Sequence, residues 1–280
     1  GVARELGVVT SQDVIRREYK LVENGDSTDS AVTVNIDVPD ACPRYVARVI
    51  KGVKVGPSPQ WLIDRLESIG LSSINNVVDA ANYVLMDSGH PMHTFDFKKI
   101  KGNTINVRFA KKGEKFTTLD NVERKLDDFH LLICDDAKPV ALAGIMGGLN
   151  SEITQDTTDI LLESAYFHPT AVRKGAKALD LSTEASRRFE RDTDIDGIIP
   201  AVDQLAQLIH EVSGGTVLRG IVDKYPQMHK PQVVHFSIKK CNSLLGIELD
   251  DKKYKKIFKS LQITIKEKNG GLECNIPSFR

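Results

Sequence analysis

The sequence predicts an α+β protein made of a large first part and a small, basic second part. Three observations carry this reading. Runs that alternate apolar and polar residues with a period of two, the mark of half-buried strands, recur between Val32 and Leu142. Helical spacing then dominates from Pro169 to about Val212. Beyond a proline-flanked stretch at 224–231, residues 231–280 hold 10 basic and 5 acidic side chains, a local excess of +5 in a chain whose net charge is +0.

The elements follow in order. Residues 1–40 read as an N-terminal connecting segment, and the polar stretch Glu23 to Ser30 is too rich in turn formers to continue a helix, so it reads as a loop. Val32, Val34, Ile36 and Val38 alternate with Thr33, Asn35 and Asp37 as a strand that Pro39 ends, and Arg44 to Ile50 gives a second strand. Ser58-Pro59 reads as a helix cap with proline at the first helical position, and the helix runs to about Ile69 before Gly70. A further helix spans roughly Asn76 to Met86 with Asn75 as its cap, and Ser88-Gly89-His90-Pro91 turns the chain into Met92 to Asp96. Short strands fill Ile105 to Leu142, broken at Lys112-Gly113, Asp120-Asn121 and 135–139, and Ile160 to Ala165 reads as another. The main domain is therefore placed at 41–212, a linker at 213–230 and a small helix-plus-hairpin domain at 231–280, with helices at Lys239 to Leu245 and Asp251 to Leu261 and a hairpin turn at Asn269-Gly270-Gly271.

Composition excludes several classes. With 41% hydrophobic and 27% charged residues, the chain has the make-up of a folded globular protein. A net charge of +0 argues against a protein that coats nucleic acid non-specifically, because such affinity needs clustered cations on phosphates. The four cysteines, Cys42, Cys134, Cys241 and Cys274, match neither a zinc pattern nor a dense disulfide framework, which fits a reducing cytoplasm. No apolar run approaches the roughly 20 residues that cross a bilayer, so no membrane partner is expected. The glycines of Gly144-Ile145-Met146-Gly147-Gly148 lack the Lys-Ser/Thr of a phosphate loop, and no Gly-x-Ser-x-Gly nucleophile elbow occurs.

The most informative stretch is Asn75-Asn76-Val77-Val78-Asp79-Ala80-Ala81-Asn82-Tyr83, continued by Gly89-His90-Pro91-Met92-His93-Thr94-Phe95-Asp96. With Ala141 to Gly148, Leu162 to Phe167 and Ser182 to Arg191, it closely resembles, in the same order, the bacterial phenylalanyl-tRNA synthetase beta chain. The resemblance extends from Gly1-Val2-Ala3-Arg4-Glu5-Leu6 to Pro277-Ser278-Phe279-Arg280, and it implies an internal fragment of a longer subunit. It also implies a β-sandwich-like core with helical additions, and an editing activity that hydrolyses Tyr-tRNA(Phe). The implied partners are the acceptor end of tRNA(Phe) carrying tyrosine and the synthetase alpha subunit. ATP and magnesium are implied only for the complete synthetase, with no cofactor or metal for this step.

Carried over by motif, Glu163 corresponds to the acid that accepts a hydrogen bond from the tyrosine hydroxyl, and His93 and Asn82 match polar positions of the same cleft that serve catalysis. Ala143 and Gly144 match small residues beside the bound amino acid, while Ala81 and Ser72 depart from the threonine and arginine that many relatives carry. Judged without the resemblance, His93 beside turn residues reads as a structural hydrogen-bonding group. On the same footing Glu163 in its apolar strand suits a buried ion pair as well as a function. Arg173, Lys174, Lys177, Arg187 and Arg188 read either as solvated helix faces or as a phosphate track, and Lys252, Lys253, Lys255 and Lys256 as a solvated face or a weak RNA contact. The rival to editing is a non-catalytic scaffold or tRNA-docking module.

Overall fold

The structure, a computed structural model, describes residues 2–15, 19–268 and 271–280. It divides into two compact units: Tyr19–Met228, and Gly1–Glu18 together with His229–Arg280. The opening helix α1 (Val2–Thr10) belongs to the smaller unit.

The larger unit begins with β1 (Glu23–Ser27), the short helix α2 (Thr28–Ala31), β2 (Thr33–Ile36) and β3 (Arg44–Lys51), followed by helices α3 (Gln60–Glu67) and α4 (Asn76–Ser88). Strands then follow: β4 (Met92–Asp96), β5 (Thr104–Phe109), β6 (Lys115–Thr117), β7 (Glu123–Lys125), β8 (Leu131–Cys134), β9 (Pro139–Leu142), β10 (Met146–Gly147) and β11 (Asp159–Tyr166). Helices α5 (Pro169–Ala178), α6 (Glu184–Phe189) and α7 (Ile198–Ser213) precede β12 (Thr216–Arg219) and β13 (Val222–Lys224).

One sheet orders its strands β1-β12-β3-β11-β4, with β13 also on β3, and a second runs β10-β9-β8-β5-β2. Between them Tyr45, Ala47, Val49, Leu161 and Ala165 of the first sheet share a buried cluster with Val34, Ile105, Val107, Leu132 and Leu142 of the second. The alternate residues Val46, Ile50, Ile160 and Leu162 meet Val77, Ala80 and Val84 of α4 and Leu205 and Ile209 of α7 on the other face. Covered on both sides, β3 and β11 are buried almost throughout, which is why they read as near-continuous apolar runs. The α+β class and the sandwich-like core are thus as expected.

Two segments differ from the sequence reading. Glu23 to Ser27, expected as a loop, forms β1 because it pairs in parallel with β12 at the sheet edge. Glu23 is also held by Arg48, whose guanidinium reaches Glu23 at 2.5 Å and Asp203 of α7 at 2.6 Å. Residues 213–230, expected to link, instead place β12 and β13 antiparallel to β3, with Val217 and Leu218 buried between glycines. Both strands are made by pairing across the sheet, which local propensity does not report.

Helix signals fared unevenly. Asn75 caps α4 by accepting from the N–H of Val77 (3.1 Å) and Val78 (2.9 Å), and Gly89 ends it at φ 78°. We expect Asn75→Ala to cost about 1 kcal/mol, the usual worth of such a cap, read as a lower denaturant midpoint of the chain. Ser58 does not cap α3; its buried hydroxyl donates to Asp79 Oδ2 (2.5 Å), an oxygen that also accepts from Ser73. That carboxylate outbids the helix end, so α3 starts at Gln60 without a side-chain cap.

The smaller unit adds β14 (Gln232–Phe236), α8 (Ile238–Leu245), α9 (Asp251–Ser260), β15 (Thr264–Lys268) and β16 (Gly271–Ile276) to α1. Its antiparallel sheet is ordered β14-β16-β15, and Ile263, Leu272 and Cys274 form a core under Phe236 and Phe258, whose rings meet edge to face at 5.0 Å. Ser237 and Asp250 cap the two helices. The hairpin pairs Lys268 with Gly271, while Asn269 and Gly270 of the expected turn lie outside the described residues. Among the described residues, no helix is long and apolar enough to cross a membrane.

Candidate active site

A recess of about 60 Å³, partly open to solvent, has Glu163 and His93 in its wall. Register places them together: on β11 and β4 the two residues are direct cross-strand partners, so both side chains point to the same face. The opposite wall comes from the second sheet and its connection, through Ile133, Leu142 and Gly144 to Gly147, and α6 closes the recess with Ala185 and Phe189.

Local chemistry fixes that wall. Thr183 and Ser186 form a reciprocal capping box that starts α6, and the Thr183 hydroxyl also donates to the carbonyl of Ile145 at 2.8 Å. The helix is thereby tied to the connection after β9. Gly147 faces the His93 ring so closely that a Cβ there would lie 2.5 Å from Cε1, so only glycine leaves the imidazole in place.

Glu163 is the electrostatic anomaly. Burial pushes its carboxyl up to about 8, while the Tyr45 hydroxyl, donating to Oε2 at 2.9 Å, pulls in the opposite direction. No cation pairs with it among the described residues, so an ion pair is not its role here. Its second oxygen, Oε1, makes no hydrogen bond among the described residues and is not among the fully buried unpartnered atoms, so it keeps contact with solvent through the recess. Burial alone pushes His93 down to about 4, leaving a neutral ring at pH 7. Folding linkage follows with opposite signs. From about pH 4.5 to about 8 the unfolded chain releases the Glu163 proton that the folded chain keeps, so this group's contribution to stability falls as pH rises. Below about pH 6.5 the unfolded chain protonates His93 while the folded chain does not until about 4, so that contribution falls as pH drops.

The other residues singled out in the sequence are placed less uniformly. Gly144 lines the recess, yet a Cβ there would meet the packed side chains of Phe167, Phe189 and Val172, each 3.0 Å away. Ala143 is buried in the inter-sheet core and does not line the recess. Ala81 packs with the helix-side cluster on the far face of the sheet. Asn82 is half-buried on α4 and also lies outside the lining, to which no described residue of α4 contributes; Met86, one turn further on, accepts from Arg188 of α6 at 3.2 Å. Ser72 is exposed. Arg187 and Arg188 pair with Glu184 of their own helix, and Arg173 donates to the Glu190 carbonyl.

Sequence reasoning passed over Tyr45 and Cys42. Both are fully buried beside Glu163, and burial, then Glu163 itself, pushes each well above its ordinary range. A thiol so held is no nucleophile. The available signal was a tyrosine on the same strand face as Val49, where a hydroxyl needs a partner.

A two-sheet α+β domain with an acid buried at an apolar recess is the class that fold and site define, and the chain belongs to the B3/4 domain family, which residues 41–214 match. Residues 234–280 match the tRNA synthetase B5 domain. Along its whole length the chain is similar to part of the phenylalanine–tRNA ligase beta subunit: 47% identical to that of Geobacter sulfurreducens and 45% to that of Syntrophus aciditrophicus, over 100% of this chain. It spans 35% of the length of each of these relatives. A solved structure, an N-terminal fragment of the phenylalanyl-tRNA synthetase beta-subunit from Pyrococcus horikoshii, is 16% identical over 98% of this chain and 74% of that chain, with a TM-score of 0.47, too slight a likeness to decide anything.

Proposed function

We propose that the recess hydrolyses tyrosine wrongly attached to tRNA(Phe), as the editing site of a phenylalanine–tRNA ligase beta subunit working in the cytoplasm with its alpha subunit. One observation carries this reading: Glu163, a buried acid without a cation among the described residues, has one oxygen open to an apolar recess. The chemistry fits the need, because a hydrophobic pocket for phenylalanine rejects an isostere with an added hydroxyl only weakly, and a second site must read that hydroxyl. Glu163 accepts from the phenol, and apolar neighbours such as Leu142 and Phe189 take the ring.

Water adds to the ester carbonyl, the bond to the terminal ribose oxygen breaks, and tyrosine and tRNA leave. His93, neutral at pH 7, orients the water or a ribose hydroxyl, while Asn82, outside the recess lining, is left without a direct part in the step. With Cys42 buried and held as a thiol, direct attack by water is the route. Ala81 offers no hydroxyl, so positioning falls to His93, backbone amides and the ribose. ATP and magnesium serve aminoacylation in the whole synthetase and take no part in this step. Incubating the chain with Tyr-tRNA(Phe) and Phe-tRNA(Phe) tests the reading. Tyrosine is expected to be released faster than phenylalanine and faster than from tRNA alone; binding without acceleration would instead make the chain a scaffold or tRNA-docking module.

A further inference from the structure

Tyr45 sits on β3 and Glu163 on β11, two strands paired along their whole lengths, so backbone geometry holds the two residues in fixed relation. The tyrosine is wholly buried, and its hydroxyl has one partner among the described residues, Oε2 of Glu163 at 2.9 Å. Phenylalanine would fill the same volume without needing that partner, and a buried hydroxyl is costly unless it is used. The Glu163 carboxyl in turn has no other hydrogen bond among the described residues. Without this contact three side-chain torsions would leave the carboxyl free to turn, and a ligand would have to order it at the cost of binding free energy.

On the reading of the recess as a tyrosine-editing site, we infer that Tyr45 is a specificity-determining positioning residue. It clamps Oε2 of Glu163 and thereby presents Oε1 to the phenol of the ligand. The protein's own tyrosine thus engages one of the acid's two oxygens, so a phenol is left to engage the other and a phenylalanine ring leaves Oε1 without a donor. The titratable groups around the carboxyl are Tyr45 and Cys42, from β3 and the residues before it, and His93 from β4, while the facing sheet and α6 contribute Ile133, Leu142 and Phe189, which carry no charge. The Tyr45 bond opposes the upward push of burial, so its loss moves the Glu163 titration to higher pH.

Two measurements on the complete chain, comparing wild type with Tyr45→Phe, decide the matter. Carbon-13 NMR of labelled glutamate carboxyls, with the Glu163 signal assigned by its loss in Glu163→Gln, reads the titration midpoint without any ligand. The midpoint is expected to rise in Tyr45→Phe, and an unmoved midpoint overturns the clamp. Hydrolysis of Tyr-tRNA(Phe) and Phe-tRNA(Phe) across pH values spanning about 8 reads the preference. Loss of the clamp is expected to lower the tyrosine preference roughly 2- to 10-fold, the span of one ordinary hydrogen bond, with phenylalanine release unchanged. A preference equal to wild type overturns the specificity role even if the melting temperature falls. A wild-type chain with no preference overturns the editing reading and the specificity role with it, while the NMR midpoint still decides whether Tyr45 holds Glu163.

Discussion

Replacing Glu163 with alanine is expected to remove most of the preference for tyrosyl over phenylalanyl ester. A hydrogen bond from the ligand's phenol to an ionised carboxylate is worth about 1.5 to 3 kcal/mol, or roughly 10- to 150-fold, and to a neutral acid only about 0.5 to 1.5 kcal/mol. Because burial holds this carboxyl at about 8, the wild-type preference should grow as pH rises through that value, while Glu163→Ala should show a small and flat preference. The comparison is made as a ratio of the two substrates at each pH, since ester hydrolysis itself accelerates in alkali. Phenylalanyl ester should be released at an unchanged rate and tRNA should bind as before, because among the described residues the carboxyl's hydrogen bond is to Tyr45 and no cation pairs with it. A preference that survives in the alanine variant would reduce Glu163 to a packing residue.

Gly144→Leu is expected to unfold or severely destabilise the larger unit. If Gly144 is a small residue beside the bound amino acid, as the motif implies, its enlargement would fill the pocket and spare the fold. The structure sets the new side chain against Phe167, Phe189 and Val172, each 3.0 Å from the added Cβ. Overpacking of this kind costs about 1 to 3 kcal/mol, and the backbone at φ +69° adds roughly 1 to 2 kcal/mol for any residue with a Cβ. Together these come to about 2 to 5 kcal/mol, a large share of the roughly 5 to 15 kcal/mol that holds an ordinary domain. Denaturant unfolding should show the loss directly, with activity falling in step. A stable, inactive variant would restore the pocket-filling account.

Why one glycine could be misjudged and another residue found shows where the sequence was informative. Asn75 announces its cap in three adjacent residues, because the acceptor and the N–H groups it serves are neighbours along the chain. Ser58 carries the same local signal, but Asp79, which takes its hydroxyl, arrives from the next helix and overrides it. The polar stretch 23–27 and the segment 213–230 became sheet because β12 and β3 offered them backbone partners far away in sequence.

The recess divides in the same way. The sequence by itself determined the α+β class, the period-two strands of the sandwich, and the oddity of a glutamate in an apolar strand, since these depend on residue type and spacing alone. The motif blocks brought His93 and Glu163 forward as candidates. Only the tertiary structure decided that they are cross-strand partners, that Ala143 and Ala81 face packed cores, and that Asn82 stands outside the lining. It alone gave Glu163 a tyrosine for a partner in place of a cation. Side-chain direction and pKa depend on register and on what the other sheet brings to the same face. Those are long-range pairings, which spacing along a single chain does not encode.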